Sequence, residues 1–209
     1  MVSKIASFLS YLFHPIFLTI IGILIIFNTS QYITIIPQGY KKFIYSIILL
    51  STVIIPLAIL PVMYLYKSIQ SISMSERRER IVPLFFTALC FYLGYYLVSK
   101  YTSIRIIDIF LLSCFTVLVV LLVISLFWKI SLHMAGLGGI TGLIFMISLI
   151  YSLDMTFYLS LSLIISGIVA SARLTLRVHN HVQIAAGFFT GLLIVCLFMS
   201  LLLPWSNNL

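Results

Sequence analysis

Continuous apolar runs, each closed by a short polar stretch, recur along the whole chain. A helix rises about 1.5 Å per residue, so about 20 apolar residues cross a hydrocarbon core of about 30 Å. Runs of that order lie at about 5–27, 43–66, 81–99 and 106–128, then one ending near 151, one at about 156–171 and one at about 183–203. The runs are unbroken and do not alternate over about ten residues, so they predict helices and not barrel strands. The expected fold is all-α: one polytopic membrane domain over residues 1–209, a bundle of seven spans with six as the nearest alternative.

Within the runs the interruptions have assignable causes. His14-Pro15 predicts a kink in the first span, since proline leaves a carbonyl of the preceding turn in need of a new partner. Pro56 and Pro61 predict a bend in the second half of the second span, and Pro83 fits the first turn of the third. Tyr92, Tyr95, Tyr96 and Tyr101 read as one side of an interfacial aromatic belt. Asp108 is expected to pair with Arg105 or Lys100, and Gly136, Gly138, Gly139 and Gly142 to let helices approach closely.

Composition narrows the class. At 63% hydrophobic and 8% charged, the chain has too little polar surface to be a soluble domain. Its net charge of +8 comes from 12 basic residues against 4 acidic ones. These basic residues sit between spans, where headgroups, phosphates and the positive-inside bias account for them better than nucleic acid does. Lys4 leads into the first run without a small-residue cleavage pattern, which predicts a retained span and no removed signal. Cys90, Cys114 and Cys196 lie within the runs and imply neither a disulfide framework nor a metal site.

Three polar clusters remain: residues 67–80, ending Glu76-Arg77-Arg78-Glu79-Arg80; Lys129-Ile130-Ser131-Leu132-His133; and the stretch from Arg173 to Gln183. Pairs of spans separate them, so all three return to one side of the bilayer. Counting basic residues puts that side and the N-terminus in the cytoplasm, and the membrane expected is the cell membrane. If a phosphorylated lipid enters between the helices, Arg80 or Arg78 and Arg173 offer guanidinium forks to its head, with Lys129 and the Ser131 hydroxyl as further donors. His179 and His133 then divide the work, one attacking phosphorus and the other protonating the departing alcohol. Gln183, four residues after His179, can hold its ring in one tautomer, whereas His181 turns away. Zinc is a weaker reading, because no HExxH or carboxylate-rich ligand set is present. The other reading of the same residues is structural or transport-related, with side chains snorkelling to lipid headgroups.

Over residues of about 75–195 the chain resembles the type 2 phosphatidic acid phosphatase superfamily of membrane phosphatases, which is related in fold to the vanadium haloperoxidases. The family's last motif is Ser-Arg, five residues, His, three residues, Asp; here it reads Ala172-Arg173, His179 and Gln183 at the same spacing. The middle motif, Pro-Ser-Gly-His, is similar to Ile130-Ser131-Leu132-His133. The first, Lys, six residues, Arg-Pro, is matched in part by Arg80-Ile81-Val82-Pro83. The resemblance implies a phosphatase without cofactor or metal acting on a phosphorylated membrane lipid. His179 would be its nucleophile and His133 its general acid, with Arg80, Ser131 and Arg173 binding phosphate. The family's aspartate is Gln183 in this chain, and Glu76 or Glu79 is the expected source of a substitute carboxylate.

Overall fold

The computed structural model describes residues 2–29, 36–66 and 78–203. They form only helices: α1 (Val2–Leu12), α2 (Pro15–Thr29), α3 (Gln38–Leu65), α4 (Ile81–Tyr101, entered through a 3-10 turn Arg78–Arg80), α5 (Arg105–Phe127), α6 (Leu132–Tyr151), α7 (Thr156–Thr175) and α8 (His181–Leu202). Among the described residues, six helices are long and apolar enough to cross a membrane; α1 and α2, bent by 51° at Phe13-His14, make a seventh if they are one broken span. The chain is therefore an all-α bundle of the kind an integral membrane protein presents, and residues with large exposed apolar side chains, such as Phe127, Phe157 and Leu201, face outward where lipid would lie.

The centre of the bundle is α6. Two thirds of its apolar window (67%) is buried, against 22–39% in the other five long helices, and it touches α2, α5, α7 and α8. Its sequence explains the position. Gly138 and Gly142 meet the backbone of α8, while Gly187 and Gly191 of α8 meet that of α6, so two main chains touch where side chains would hold them apart. The expected close approach at the α6 glycines is thus formed, and it draws the start of α6 against the start of α8. There the Ser131 N–H donates to the Gln183 carbonyl at 3.3 Å.

The prolines act locally. In α3 a π-helical turn, Leu50–Ile54, ends two residues before Pro56, and the hydroxyls of Ser51 and Thr52 each donate to a carbonyl one turn back, both at 2.8 Å. At Pro15 the missing N–H leaves the Tyr11 carbonyl to the His14 N–H at 3.3 Å, which in turn releases the Ser10 carbonyl from its helical partner. One expectation is corrected. Asp108 pairs with neither Arg105 nor Lys100: its Oδ1 is buried without a hydrogen-bond partner among the described residues, while Lys100 lies over the rings of Tyr96 and Tyr101. The aromatic faces take the lysine that the carboxylate was expected to hold.

Candidate active site

A cavity of about 830 Å³ opens between α1–α2, α3, α4, α5, α6 and the end of α7. Most of its wall is apolar, with Leu60, Leu84, Phe91, Phe110, Leu118 and Leu121 among the lining residues. Its basic and imidazole side chains come from the three clusters, Arg80, Lys129, His133, Arg173, Arg177 and His179, joined by His14 from the first span, and Ser10 is among its hydroxyl-bearing residues. Among the described residues, none that lines it carries a carboxylate. Four basic side chains around a largely apolar space have the chemistry to receive an anion that carries an apolar tail.

His179 is held by the turn between α7 and α8. Helix α7 stops at Thr175 in a Schellman arrangement: Val178 N–H bonds the Arg173 carbonyl at 3.3 Å, and Arg177 N–H bonds the Leu174 carbonyl at 2.9 Å. The left-handed position of that motif, which favours glycine, is occupied by Arg177 at φ 52°. Keeping an arginine there costs about 1 kcal/mol and puts a cation on the cavity wall. Arg177→Gly is accordingly expected to raise Tm slightly in detergent while weakening anion binding; a lowered Tm would show that the turn does not strain this residue.

Helix α8 starts in a capping box: the Asn180 side chain accepts from Gln183 N–H at 2.9 Å, and Gln183 Oε1 accepts from Asn180 N–H at 3.3 Å. The same Oε1 lies 3.0 Å from His179 Nδ1. A backbone N–H can only donate, so the atom of Gln183 at this point is oxygen, and Nδ1 of His179 must carry the proton. Its Nε2 keeps a lone pair. The ring is buried, with 7% of its surface exposed. Burial pushes its pKa from 6.5 down to about 4; the Gln183 bond opposes this, and the positive charges of Arg80, Arg173 and Lys129 add to it. At neutral pH His179 is thus an uncharged imidazole with one nitrogen free to attack.

His133 is fixed from the opposite wall. Its Nε2 lies 3.1 Å from the Ser10 carbonyl released by the proline break. A carbonyl only accepts, so Nε2–H is the donor and Nδ1 is left for other work. The Arg173 guanidinium is near enough for its charge to act on both His133 and His179, and its buried Nε has no hydrogen-bond partner among the described residues. A second, smaller pocket of about 400 Å³, lined by Lys129, Arg177, His179, Asn180 and Gln183, places His179 on the wall of both spaces.

Of the residues expected from sequence, the structure gathers Arg80, Lys129, His133, Arg173, His179 and, through its bond to the ring, Gln183. It does not gather the rest. Arg78 is exposed and off the cavity wall, and His181 is exposed as well. Ser131 is wholly enclosed, its Oγ without a partner among the described residues, and it does not line the cavity. Glu79 is half-buried and off the wall, and Glu76 lies outside the described residues. Sequence reasoning did not assign Arg177, although it stands four residues after Arg173, nor Ser10, whose role depends on its main chain. Among the described residues no three His, Cys, Asp or Glu side chains come together as a metal-binding group. No known protein family, no curated protein and no solved structure matches the chain.

Proposed function

We propose that this protein is a membrane phosphatase that hydrolyses a lipid phosphate monoester or lipid diphosphate through a phosphohistidine, in the manner of the type 2 phosphatidic acid phosphatases. One observation carries the reading: a buried, neutral His179 with Nδ1–H tied to Gln183 stands on the wall of an apolar cavity whose charged residues are Arg80, Lys129, Arg173 and Arg177. Nε2 attacks phosphorus, and the bond from phosphorus to the departing oxygen breaks. His133, held through Nε2–H by the Ser10 carbonyl, takes a proton at Nδ1 from the monoanionic phosphate head, gives it to that oxygen, and afterwards takes one from the water that cleaves the phosphohistidine. The arginines and Lys129 offset charge on the phosphoryl oxygens. Lipid occupies the large cavity and water reaches His179 through the small polar pocket. Protein purified in detergent is expected to release phosphate from phosphatidic acid, phosphatidylglycerol phosphate or polyprenyl diphosphate. No release from any of the three would reject hydrolysis.

A second reading has its own support in the neutrality of Gln183, which orients the ring without stabilising a positive phosphohistidine: a silent relative that binds or moves phosphorylated lipid. The two separate on pH. With His179 at about 4, the nucleophile keeps its lone pair from neutral pH down to about 4, so its acid limb in kcat/KM falls there and not near 6.5. Gln183→Glu puts a carboxylate on Nδ1–H at nearly unchanged geometry and keeps the capping box. It is expected to raise the His179 pKa by about 1–3 units, moving the acid limb upward, and to increase kcat at pH 7–8 by about 10-fold. An unaltered pH profile and kcat would remove the ring-to-Gln183 bond from the mechanism.

A further inference from the structure

The break in the first span carries a histidine that the mechanism above does not use. His14 lines the cavity beside Ser10, and its ring meets that of His133 edge-on with centroids 5.4 Å apart at 81°. The Arg173 charge acts on His14 as it does on His133, so the two rings and the guanidinium occupy one end of the space. Its tautomer is set by the break itself. Pro15 cannot donate, and the next backbone N–H, that of Ile16, donates to His14 Nδ1 at 3.4 Å. The neutral ring therefore carries its proton on Nε2, which has no hydrogen-bond partner among the described residues.

Two further groups here lack partners. Ser10 Oγ and Arg173 Nε are buried, each without a hydrogen bond among the described residues, and both residues line the cavity. Buried donors left unmade cost folding free energy, so their convergence on one open space points to a ligand that accepts several hydrogen bonds. A phosphoryl group has the acceptors and no donors of its own when ionised.

We propose that His14 is a further phosphate-binding residue, its Nε2–H donating to a phosphoryl oxygen of the lipid together with Arg173 and the Ser10 hydroxyl. The assignment rests on the reading of the cavity as a phosphorylated-lipid site. His14 acts as a neutral donor and not as an acid, because Nδ1 is already engaged by Ile16 and loss of the only ring proton would leave an imidazolate. The bent first span then has two tasks at once: the Ser10 carbonyl positions His133, and the next turn delivers His14. It is a wall of the site and not merely an anchor.

The test measures binding as well as turnover. Dioctanoyl phosphatidic acid and, as the phosphate-free control, dioctanoylglycerol are titrated calorimetrically into the full-length protein in detergent. His14→Phe keeps a ring and removes the donor; His14→Gln restores an N–H; His14→Leu stands in should the Phe variant melt early. Loss of the donor is expected to raise the Kd for the phosphate lipid about 10-fold or more, with most of the loss recovered by His14→Gln and no change for dioctanoylglycerol. Wild-type affinity in His14→Phe or His14→Leu, or an equal loss for both lipids, overturns the assignment. Should the wild type hydrolyse phosphatidic acid while these variants bind it normally, His14 is dismissed and the phosphatase reading stands. Should the wild type bind it in a His14-dependent way without releasing phosphate, hydrolysis is dismissed and His14 stands. Absence of binding and of release in the wild type dismisses both.

Discussion

Replacement of His179 by alanine is expected to lower phosphate release by at least about 10³-fold with the protein still folded, because no second imidazole can take its place. His181 is exposed and off the cavity, the Nδ1 of His133 is the proton carrier of the proposed mechanism, and the one lone pair of the neutral His14 ring is taken by the Ile16 N–H. The loss should appear in kcat and not in lipid affinity, since in the proposed mechanism the phosphate is bound by the basic residues of the cavity wall, Arg80, Lys129, Arg173 and Arg177, and not by His179. The turn that carries residue 179 is built from main-chain bonds of residues 173–178 and from the Asn180–Gln183 box, and these survive the substitution. Acid-quenched wild-type protein incubated with 32P-labelled lipid should carry acid-labile label, and His179→Ala should carry none. Retention of more than a few per cent of wild-type turnover by His179→Ala would show that another group attacks phosphorus.

Gly191→Ala is expected to have the largest effect on stability. A methyl at Gly191 would run into the Ala135 carbonyl and come within 2.9 Å of the Gly139 nitrogen, both of them backbone atoms of α6 that cannot swing aside. The helices must separate, at a cost of about 1–3 kcal/mol, and the displacement reaches the site because α6 carries His133 and the first turn of α8 carries Gln183. Lower Tm in detergent and reduced turnover should therefore appear together. Gly167 of α7 supplies the control: no atom lies within 4 Å of a methyl placed there, so Gly167→Ala should be neutral or slightly stabilising. Equal Tm changes in the two variants would show that the α6–α8 crossing does not depend on contact between main chains.

Much of the site was legible because its spacing is local. Arg173, His179 and Gln183 span the last turn of α7, the connecting turn and the first turn of α8, where the Asn180–Gln183 capping box puts the Gln183 oxygen against the ring whatever the remainder of the bundle does. The kink at His14-Pro15 was legible for the same reason, as proline removes an N–H from its own turn. The destination of the freed carbonyl was not. Ser10 bonds His133, 123 residues away, and no pattern in either segment announces the other. Arg78 and Arg80 are alike in sequence, yet Arg80 is buried at the cavity and Arg78 is exposed. The Ser131 hydroxyl, expected at the phosphate, is enclosed, while Ser10 and His14 stand on the wall.

By itself, then, the amino-acid sequence determined an all-helical bundle with apolar segments long enough to cross a membrane, the break at Pro15 and the tautomer of His179. Each follows from the composition of a contiguous segment: transfer of about 20 apolar residues into hydrocarbon is a property of the segment alone, and so are a missing N–H and a capping box. Only the tertiary structure decided which arginine, which hydroxyl and which histidines share the cavity. Those choices depend on how far each helix is rotated about its axis and how closely its neighbours approach. Here the approach is set where Gly138 and Gly142 of α6 cross Gly187 and Gly191 of α8, at distances that only main-chain contact permits.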